Sequence, residues 1–347
     1  MTSPDLTASG EMAPLVTVLM LTYQQDRFVA QALESLLAQD WPTMEVLVLD
    51  DASTDETLGV VERLLAHHPR RSIVRIMPAA RNQGLAANWN RGVAAAAGEI
   101  IIAAAGDDVS APSRVRESAN FLQVNPSVHA LYYNCRIIDE TGCIRHDPWR
   151  KFARPVLRTL GHLEPWKGFP FHGATAAYRT STLRSFGPID ARCGTEDVSS
   201  LMRAQIIGNA VALPLVLVDW RWHGDNLSHG GVTAGVARAK RLKAKLRKAR
   251  GAVYDGIQLQ KDAQSAIKLG FRLENEVDGM LSSGRMMELA NRLKFHSLHP
   301  RSRWGVCFAL GLAVINCRQI PKAQGLAALL RALLRRAFPA MLRRWTV

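Results

Sequence analysis

The sequence predicts an α/β protein built around a largely parallel sheet. Three observations point there. Apolar, β-branched runs alternate with helical patterns through the first hundred residues; each run leads into a polar cluster; and strand carboxyl ends are where open α/β sheets bind ligands. The clusters are Thr22-Tyr23, Asp50-Asp51, Arg81-Asn82 and Asp107-Asp108.

The elements follow in order. Residues 16–22 (VTVLMLT) form an aliphatic run suited to a strand buried on both faces. Residues 28–38 place Phe28, Ala32, Leu33, Leu36 and Leu37 at helical spacing, and Trp41-Pro42 stops the helix. A second strand, 45–49, makes a β-α-β unit whose strands are parallel neighbours. Ser53-Thr54-Asp55-Glu56 signals a helix start, and 57–66 continues it. Strand 73–77, helix 85–97 and the strand beginning at Ile100 follow. That last strand stops at Gly106 and sets Asp107 beside Asp108, an arrangement that raises carboxyl pKa values unless a positive charge is near. A polar turn accounts for the pair equally well when it is taken alone.

Beyond Pro112 the pattern changes pace. Helix 113–124 ends at Asn125-Pro126, strand 128–138 runs into an Asp139-Glu140-Thr141-Gly142 turn, and 146–170 is a loop-rich stretch holding Trp149, Phe152, Trp166 and Phe169. Aromatic faces there suit sugar rings or ordinary packing. Strand 171–178 carries His172, then come helix 180–186, the Glu196-Asp197 pair opening another helix, and strand 211–220. Acidic residues in a first helical turn are good helix chemistry in their own right.

Composition excludes several classes. There is no G-x-G-x-x-G, no Gly-rich Walker loop, and no zinc spacing among the five cysteines, which read as reduced cytosolic thiols. The N-terminus lacks a basic and an apolar signal region, so residues 1–13 are expected to be a disordered lead. No uncharged apolar run reaches the roughly 18 residues of a membrane span. The net charge of +14 is uneven: residues 230–347 hold 23 Lys and Arg against 6 Asp and Glu, the rest 21 against 24.

The ordered motifs VTVLMLTYQQ, VLVLDDASTDET, RNQGLAANWNRG and GDDVSAPSRV resemble the nucleotide-binding half of the inverting family-2 glycosyltransferases, whose GT-A fold is a mixed sheet flanked by helices. The resemblance covers about residues 14–230. It implies that Thr22 and Tyr23 line the base pocket, that Asp50 accepts a hydrogen bond from the pyrimidine, that Arg81 holds the nucleotide, that Asp107 contacts the ribose and that Asp108 binds Mg2+ or Mn2+. It further implies Asp197 as catalytic base, Glu196 as its neighbour and acceptor contact, His223 as a diphosphate or metal contact and His172 on the acceptor side. A lone histidine such as His172 is more often structural. Ala104-Ala105 stands where the family often writes Leu-Asp ahead of the metal-binding pair. The Gln-x-x-Arg-Trp signature of processive synthases is missing after Asp197, which implies single addition.

The expected activity is transfer of a sugar, with inversion, from a nucleotide-diphosphate donor to a glycan or lipid-linked acceptor in envelope polysaccharide assembly. The rival is a non-catalytic nucleotide-sugar or membrane-binding protein of the same fold. Residues 231–347 form a basic helical region. Residues 236–250 are a basic amphipathic helix, 305–317 an apolar segment too short to cross a bilayer, and 326–342 a leucine and arginine pattern. These suit an anionic membrane surface or a helix packed on the catalytic domain. Cytoplasmic placement, peripheral on the membrane's inner face, is expected. No nucleic acid is expected, since no reader motif accompanies the basic charge.

Overall fold

The structure is a computed structural model that describes residues 13–160, 169–224, 226 and 238–272, with scattered positions up to 291. The elements are β1 (Val16–Thr22), α1 (Val29–Leu37), β2 (Met44–Asp50), α2 (Thr57–Leu65), β3 (Val74–Pro78), α3 (Leu85–Ala95), β4 (Ile100–Ala105), β5 (Val109–Ser110), α4 (Arg114–Val124), β6 (Val128–Ile138), β7 (Ile144–His146), β8 (Val156–Arg158), β9 (Ala176–Arg179), α5 (Thr180–Arg184), α6 (Asp197–Ile207), β10 (Asn209–Arg221) and α7 (Arg238–Lys268).

One mixed sheet runs β3-β2-β1-β4-β9-β6-β10-β5, with β7 on β6 and β8 on β10. Strands β3, β2, β1 and β4 are mutually parallel, whereas β9 inserts antiparallel between β4 and β6. Strand alternation sorts the core into two layers. Val16, Val18 and Met20 of β1, with Val46 and Val48 of β2, face a cluster closed by Leu33 and Leu36 of α1, Val61 of α2 and Ala119 of α4. Leu19, Leu47, Leu49 and Ile101 face the other side, against Trp89 of α3, Leu183 of α5 and Leu201 of α6. Helix α3 lies close on the sheet at Gly92, where a Cβ would stand 2.4 Å from Leu49 Cδ1 and 2.9 Å from Leu19 Cδ1.

Two segments depart from the sequence expectation. The strand expected from residue 171 begins only at Ala176, because residues 173–175 turn into a 3-10 helix. The Thr175 N–H and hydroxyl both donate to His172 O, at 2.9 and 2.8 Å. Strand β10 is longer than expected but irregular around Pro214, where its register with β6 shifts between Leu213 and Val216, as a proline without an N–H requires. The Asp139–Gly142 turn forms as expected: Asp139 Oδ1 accepts the Thr141 and Cys143 N–H groups, and Gly142 takes a positive φ of 89°.

The basic amphipathic segment is part of α7, which runs well past residue 250 to Lys268. Its second half docks on α6, with Leu259, Ala263 and Ala266 against Met202 and Ile206. The expectations for residues 1–12, Trp166, 305–317 and 326–342 fall outside the described residues. Among the described residues, no helix is long and apolar enough to cross a membrane.

Candidate active site

The parallel strands end together, and their ends carry the polar clusters. Beyond β1, Gln24 adopts a positive φ of 56° and ties that end to the loop after β2: its N–H donates to Ser53 Oγ at 2.9 Å, and its Oε1 accepts the Thr54 and Asp55 N–H groups. Gly106 fits into the angle between β4 and this loop. A Cβ there would meet Gln25 Oε1 at 2.3 Å and Thr22 Oγ1 at 2.8 Å, two buried oxygens that have no hydrogen-bond partner among the described residues. Unpaired buried acceptors are costly, so a ligand hydroxyl or N–H has a reason to reach this corner. Tyr23, next to Thr22, and Arg81 are exposed.

Asp50 and Asp51 shape the corner more than they line it. Asp50 has no exposed surface, and its carboxylate accepts both the N–H and the hydroxyl of Ser53. Asp51 accepts the Gln83 and Gly84 N–H groups, each at 2.8 Å, which fixes the turn into α3 where Gly84 has a φ of 88°.

At the end of β4, Asp107 and Asp108 are both buried. Asp107 Oδ2 receives His223 Nε2 at 2.8 Å and Asn226 Nδ2 at 3.3 Å. Asp108 Oδ1 accepts the Arg221 N–H at 2.9 Å. Burial first, and the Asp107 charge second, hold the Asp108 carboxyl well above the usual carboxylate range. The Arg221 guanidinium is occupied in holding this floor together, donating to Asp107 O, Asp139 O and Gln31 Oε1 and stacking over Phe28. It is not free for an anionic donor. His223 reaches the acidic pair through Asp107, with its ring against Phe28.

The donor set suits a divalent cation as one part of a shared site. Two hard carboxylates sit side by side and buried, one of them strained towards protonation by the other, and a cation relieves that strain. No group of three or more His, Cys, Asp or Glu is arranged to hold an ion among the described residues. The protein would therefore supply one or two ligands, with diphosphate and water oxygens supplying the others.

Residues 172 and 173, expected on the acceptor side, are brought to the same end by β9. Its antiparallel register on β4 pairs Ile102 with Ala177 and Ile100 with Arg179, so the chain ahead of β9 returns past the end of β4. Buried Arg114 ties the two together, donating to Ala103 O and Ala174 O at 2.7 Å each. His172 is thereby carried near Asp107 and packs on Trp220 at 4.3 Å and Trp149 at 5.8 Å. Burial pushes its imidazole down to about 4, so the ring is neutral, and its buried Nδ1 has no partner among the described residues.

Next to His172, Gly173 lies against the second acidic pair. A Cβ at Gly173 would stand 3.0 Å from Glu196 Oε1 and 3.4 Å from Asp197 Oδ2. Asp197 opens α6, and its Oδ1 accepts the Val198 N–H at 2.7 Å, an arrangement that favours the anion at a helix N-terminus. Burial, reinforced by Asp197, pushes the Glu196 carboxyl up to about 8, and burial raises Asp197 as well. Two acids this close and this buried favour holding a proton between them, and the Val198 N–H at the helix start favours the anion on Asp197.

Sequence reasoning missed several parts of this site. Trp220 and Trp222 pack edge to edge at 5.9 Å next to His172, and the Trp-Arg-Trp run at the end of β10 was the signal for them. Of the expected acceptor aromatics, Phe169 is core, against Tyr132, while Trp149 carries the Arg150 guanidinium at 4.2 Å. Arg114 and Asp255 gave no signal, since isolated charged residues on helices usually face water.

A mixed sheet of this order, with two acidic pairs at one end, is the GT-A architecture. Residues 17–187 match the family model described as glycosyl transferase family 2, and through that domain the chain belongs to the family. Over the fold as a whole, it resembles the mannosyltransferase PcManGT from Pyrobaculum calidifontis, solved with GDP-Man and Mn2+, at a TM-score of 0.52 and 20% identity, covering 99% of this chain and 86% of that one. It also resembles S. aureus TarS 1-349 solved with UDP-GlcNAc, at a TM-score of 0.51 and 19% identity, covering 82% and 81%. At these identities the likeness defines the fold. EpsE of Bacillus subtilis, named a glycosyltransferase, is 28% identical over 195 residues, 55% of this chain and 66% of its own length. The chondroitin synthase of Escherichia coli is 29% identical over 135 residues, 39% of this chain and 19% of its own. The chain thus spans just under two thirds of EpsE and about a fifth of the synthase.

Proposed function

We propose that this protein transfers a sugar from a nucleotide-diphosphate donor to a hydroxyl of a glycan or lipid-linked acceptor, with inversion at the anomeric carbon and one addition per encounter, in envelope polysaccharide assembly. The observation that carries the reading is the meeting of the two buried acidic pairs at one end of the sheet, with His172 and Gly173 between them.

The donor nucleotide lies over the ends of β1 and β4, where Thr22, Gln25 and Gly106 form its corner and Tyr23 and Arg81 its rim. Asp107, steadied by His223 and Asn226, faces the ribose. Asp108 would hold Mg2+ or Mn2+, which would supply Lewis-acid stabilisation of charge on the departing diphosphate. Across the cleft, Asp197 takes the proton of the acceptor hydroxyl, a general-base role with an effect of about 10²–10⁴ in rate. Glu196, protonated near neutral pH, donates a hydrogen bond to the acceptor. Neutral His172 and the tryptophans around it offer an aromatic wall without adding charge. With one base and no nucleophile on the protein, the product is inverted. The basic residues of 231–347 favour an anionic membrane surface as the place of work.

Asp197→Asn tests the reading. It is expected to keep donor binding and to lower transfer from a labelled nucleotide sugar by about 100-fold or more. Turnover within a few-fold of the parent removes Asp197 as the base. Asp108→Ala is expected to make donor affinity indifferent to EDTA, and a variant whose donor affinity still falls on chelation removes Asp108 from the cation site.

A further inference from the structure

Helix α7 lies beyond the matched family segment, yet it reaches the loop that carries the acidic pair. Gly251 of α7 and Gly194 of that loop meet backbone to backbone: a Cβ on Gly251 would lie 2.5 Å from Gly194 Cα, and one on Gly194 would lie 3.2 Å from Gly251 Cα. A Cβ at Gly251 is excluded by this approach, and one at Gly194 would be tight. One turn further along α7, Asp255 Oδ1 accepts the Gly194 N–H at 2.9 Å, with the Thr195 N–H facing the same carboxyl. Asp255 is buried, and the next two residues after Thr195 are Glu196 and Asp197. The rest of this face of α7 is committed to docking: Gln258 Oε1 accepts the Asp190 N–H at 2.9 Å, and Asp262 pairs with Arg203.

We infer that Asp255 is a positioning residue for the Glu196-Asp197 pair: its carboxyl clamps the Gly194-Thr195 backbone so that α6 starts with Asp197 aimed into the cleft. The inference rests on the proposed role of that pair. A buried carboxyl is an unusual choice for a clamp, because an asparagine or serine oxygen also accepts N–H bonds without bringing charge into a site that already holds two acids. Its charge is felt there. Asp255 contributes to the upward displacement of Glu196, and Asp197 to that of Asp255, which burial raises to about 7. The Cys193 thiol also bonds to Asp255; Asp190 acts on that thiol, and the Arg192 guanidinium stacks on the neighbouring Tyr254. Asp262 and Lys261 lie further along its own helix. The clamp thus sets both the direction and the proton affinity of the catalytic pair from a helix outside the matched domain.

The experiment compares Asp255→Asn, Asp255→Ala and Gln258→Ala in the full chain, with kcat, donor KM and the pH profile of kcat/KM measured beside thermal melts. Asp255→Asn keeps one oxygen acceptor and removes the charge, so both limbs of the profile are expected to move to lower pH by about half a unit or more, the alkaline limb most. Asp255→Ala loses the clamp, and kcat is expected to fall at least tenfold with donor KM within twofold. Gln258→Ala loosens the same helix and is expected to lower the melting temperature without moving either limb. Unmoved limbs in Asp255→Asn, or Asp255 variants indistinguishable from Gln258→Ala, overturn the inference. If Asp255→Ala does not fold, the limb positions of Asp255→Asn decide alone. Asp197→Asn run alongside separates the two levels: an active Asp197→Asn removes the base, whereas an inactive one with unmoved Asp255 limbs removes only the clamp.

Discussion

The docking of α7 on α6 includes one buried ion pair, and Asp262→Ala tests it. Asp262 and Arg203 each have side chains 2% exposed. The guanidinium donates through Nε at 2.9 Å and Nη2 at 3.2 Å to the two carboxylate oxygens, while Nη1 is held by Leu183 O and Gly187 O. Gln258 Nε2 adds a third donor to Asp262 at 2.8 Å. Even so, burial outweighs these partners and leaves the Asp262 carboxyl displaced upward. The pair as a whole therefore adds little net stability, but removing half of it strands a buried cation, which costs about 3–5 kcal/mol. For a chain of this size that corresponds to a fall of roughly 6–20 °C in melting temperature. Arg203→Met with Asp262→Leu is expected to restore most of the loss, since the desolvation cost disappears with both charges. Urea titration followed by circular dichroism reads the change as a lower midpoint at constant slope. A loss below about 1 kcal/mol in Asp262→Ala would refute the buried, paired arrangement.

Three further outcomes follow from the same geometry. Gly106→Ala places a methyl against Thr22 and Gln25 at the nucleotide corner and is expected to weaken donor binding with little change in melting, whereas Gly92→Ala meets Leu49 and Leu19 and is expected to cost about 1–3 kcal/mol of stability with donor binding kept; the reverse pattern would contradict both placements. The raised carboxyls Glu196 and Asp255, at about 8 and 7, bind protons more tightly folded than unfolded, so their stability is present below their unfolded values of 4.5 and 3.8 and is lost as pH rises through the folded ones. His172, depressed to about 4 from 6.5, works oppositely, but only below pH 6.5. Melting temperature should thus fall between pH 6.5 and 8.5, and Glu196→Gln with Asp255→Asn should flatten the slope; a parent that melts higher at pH 8.5 would contradict the assignment. A chain ended after Asn291 loses 11 Lys and Arg and no Asp or Glu. It is expected to sediment less with anionic liposomes while keeping turnover on a soluble acceptor, and equal sedimentation would remove those residues from membrane contact.

The donor half was legible because its signals are local. The alternation in β1, β2 and β4, the Gly106 stop and the Asp107-Asp108 pair each declare themselves within a few residues, and strand order then brings them together. What was not legible depends on pairings across long stretches of chain. The insertion of β9 antiparallel between β4 and β6, which carries His172 and Gly173 to the donor, has no mark in the run FHGATAAY, whose first half becomes a turn. The floor held by Arg221 had no local mark either, because its carbonyl partners, Asp107, Asp139 and Glu140, lie about eighty to a hundred and fourteen residues away. The bonds that tie Asp50 to Ser53 likewise form only once the turn closes.

The matched family segment stops at residue 187, and several residues of the candidate site lie beyond it. Asp197, Trp220 and His223 all come later, and Asp255 comes later still, on a helix whose first thirteen residues, 238–250, carry eight Lys and Arg and no acid. That helix is continuous from its basic start to the Gly251 contact and on to the Arg203 pair. Because the helix is continuous, an anionic surface that took up residues 238–250 is expected to shift the backbone holding Asp197. If the coupling is real, anionic liposomes raise kcat in the parent chain and fail to do so once Asp255 is replaced by alanine. Equal stimulation of both would show that the membrane, where it acts, works through some route other than α7.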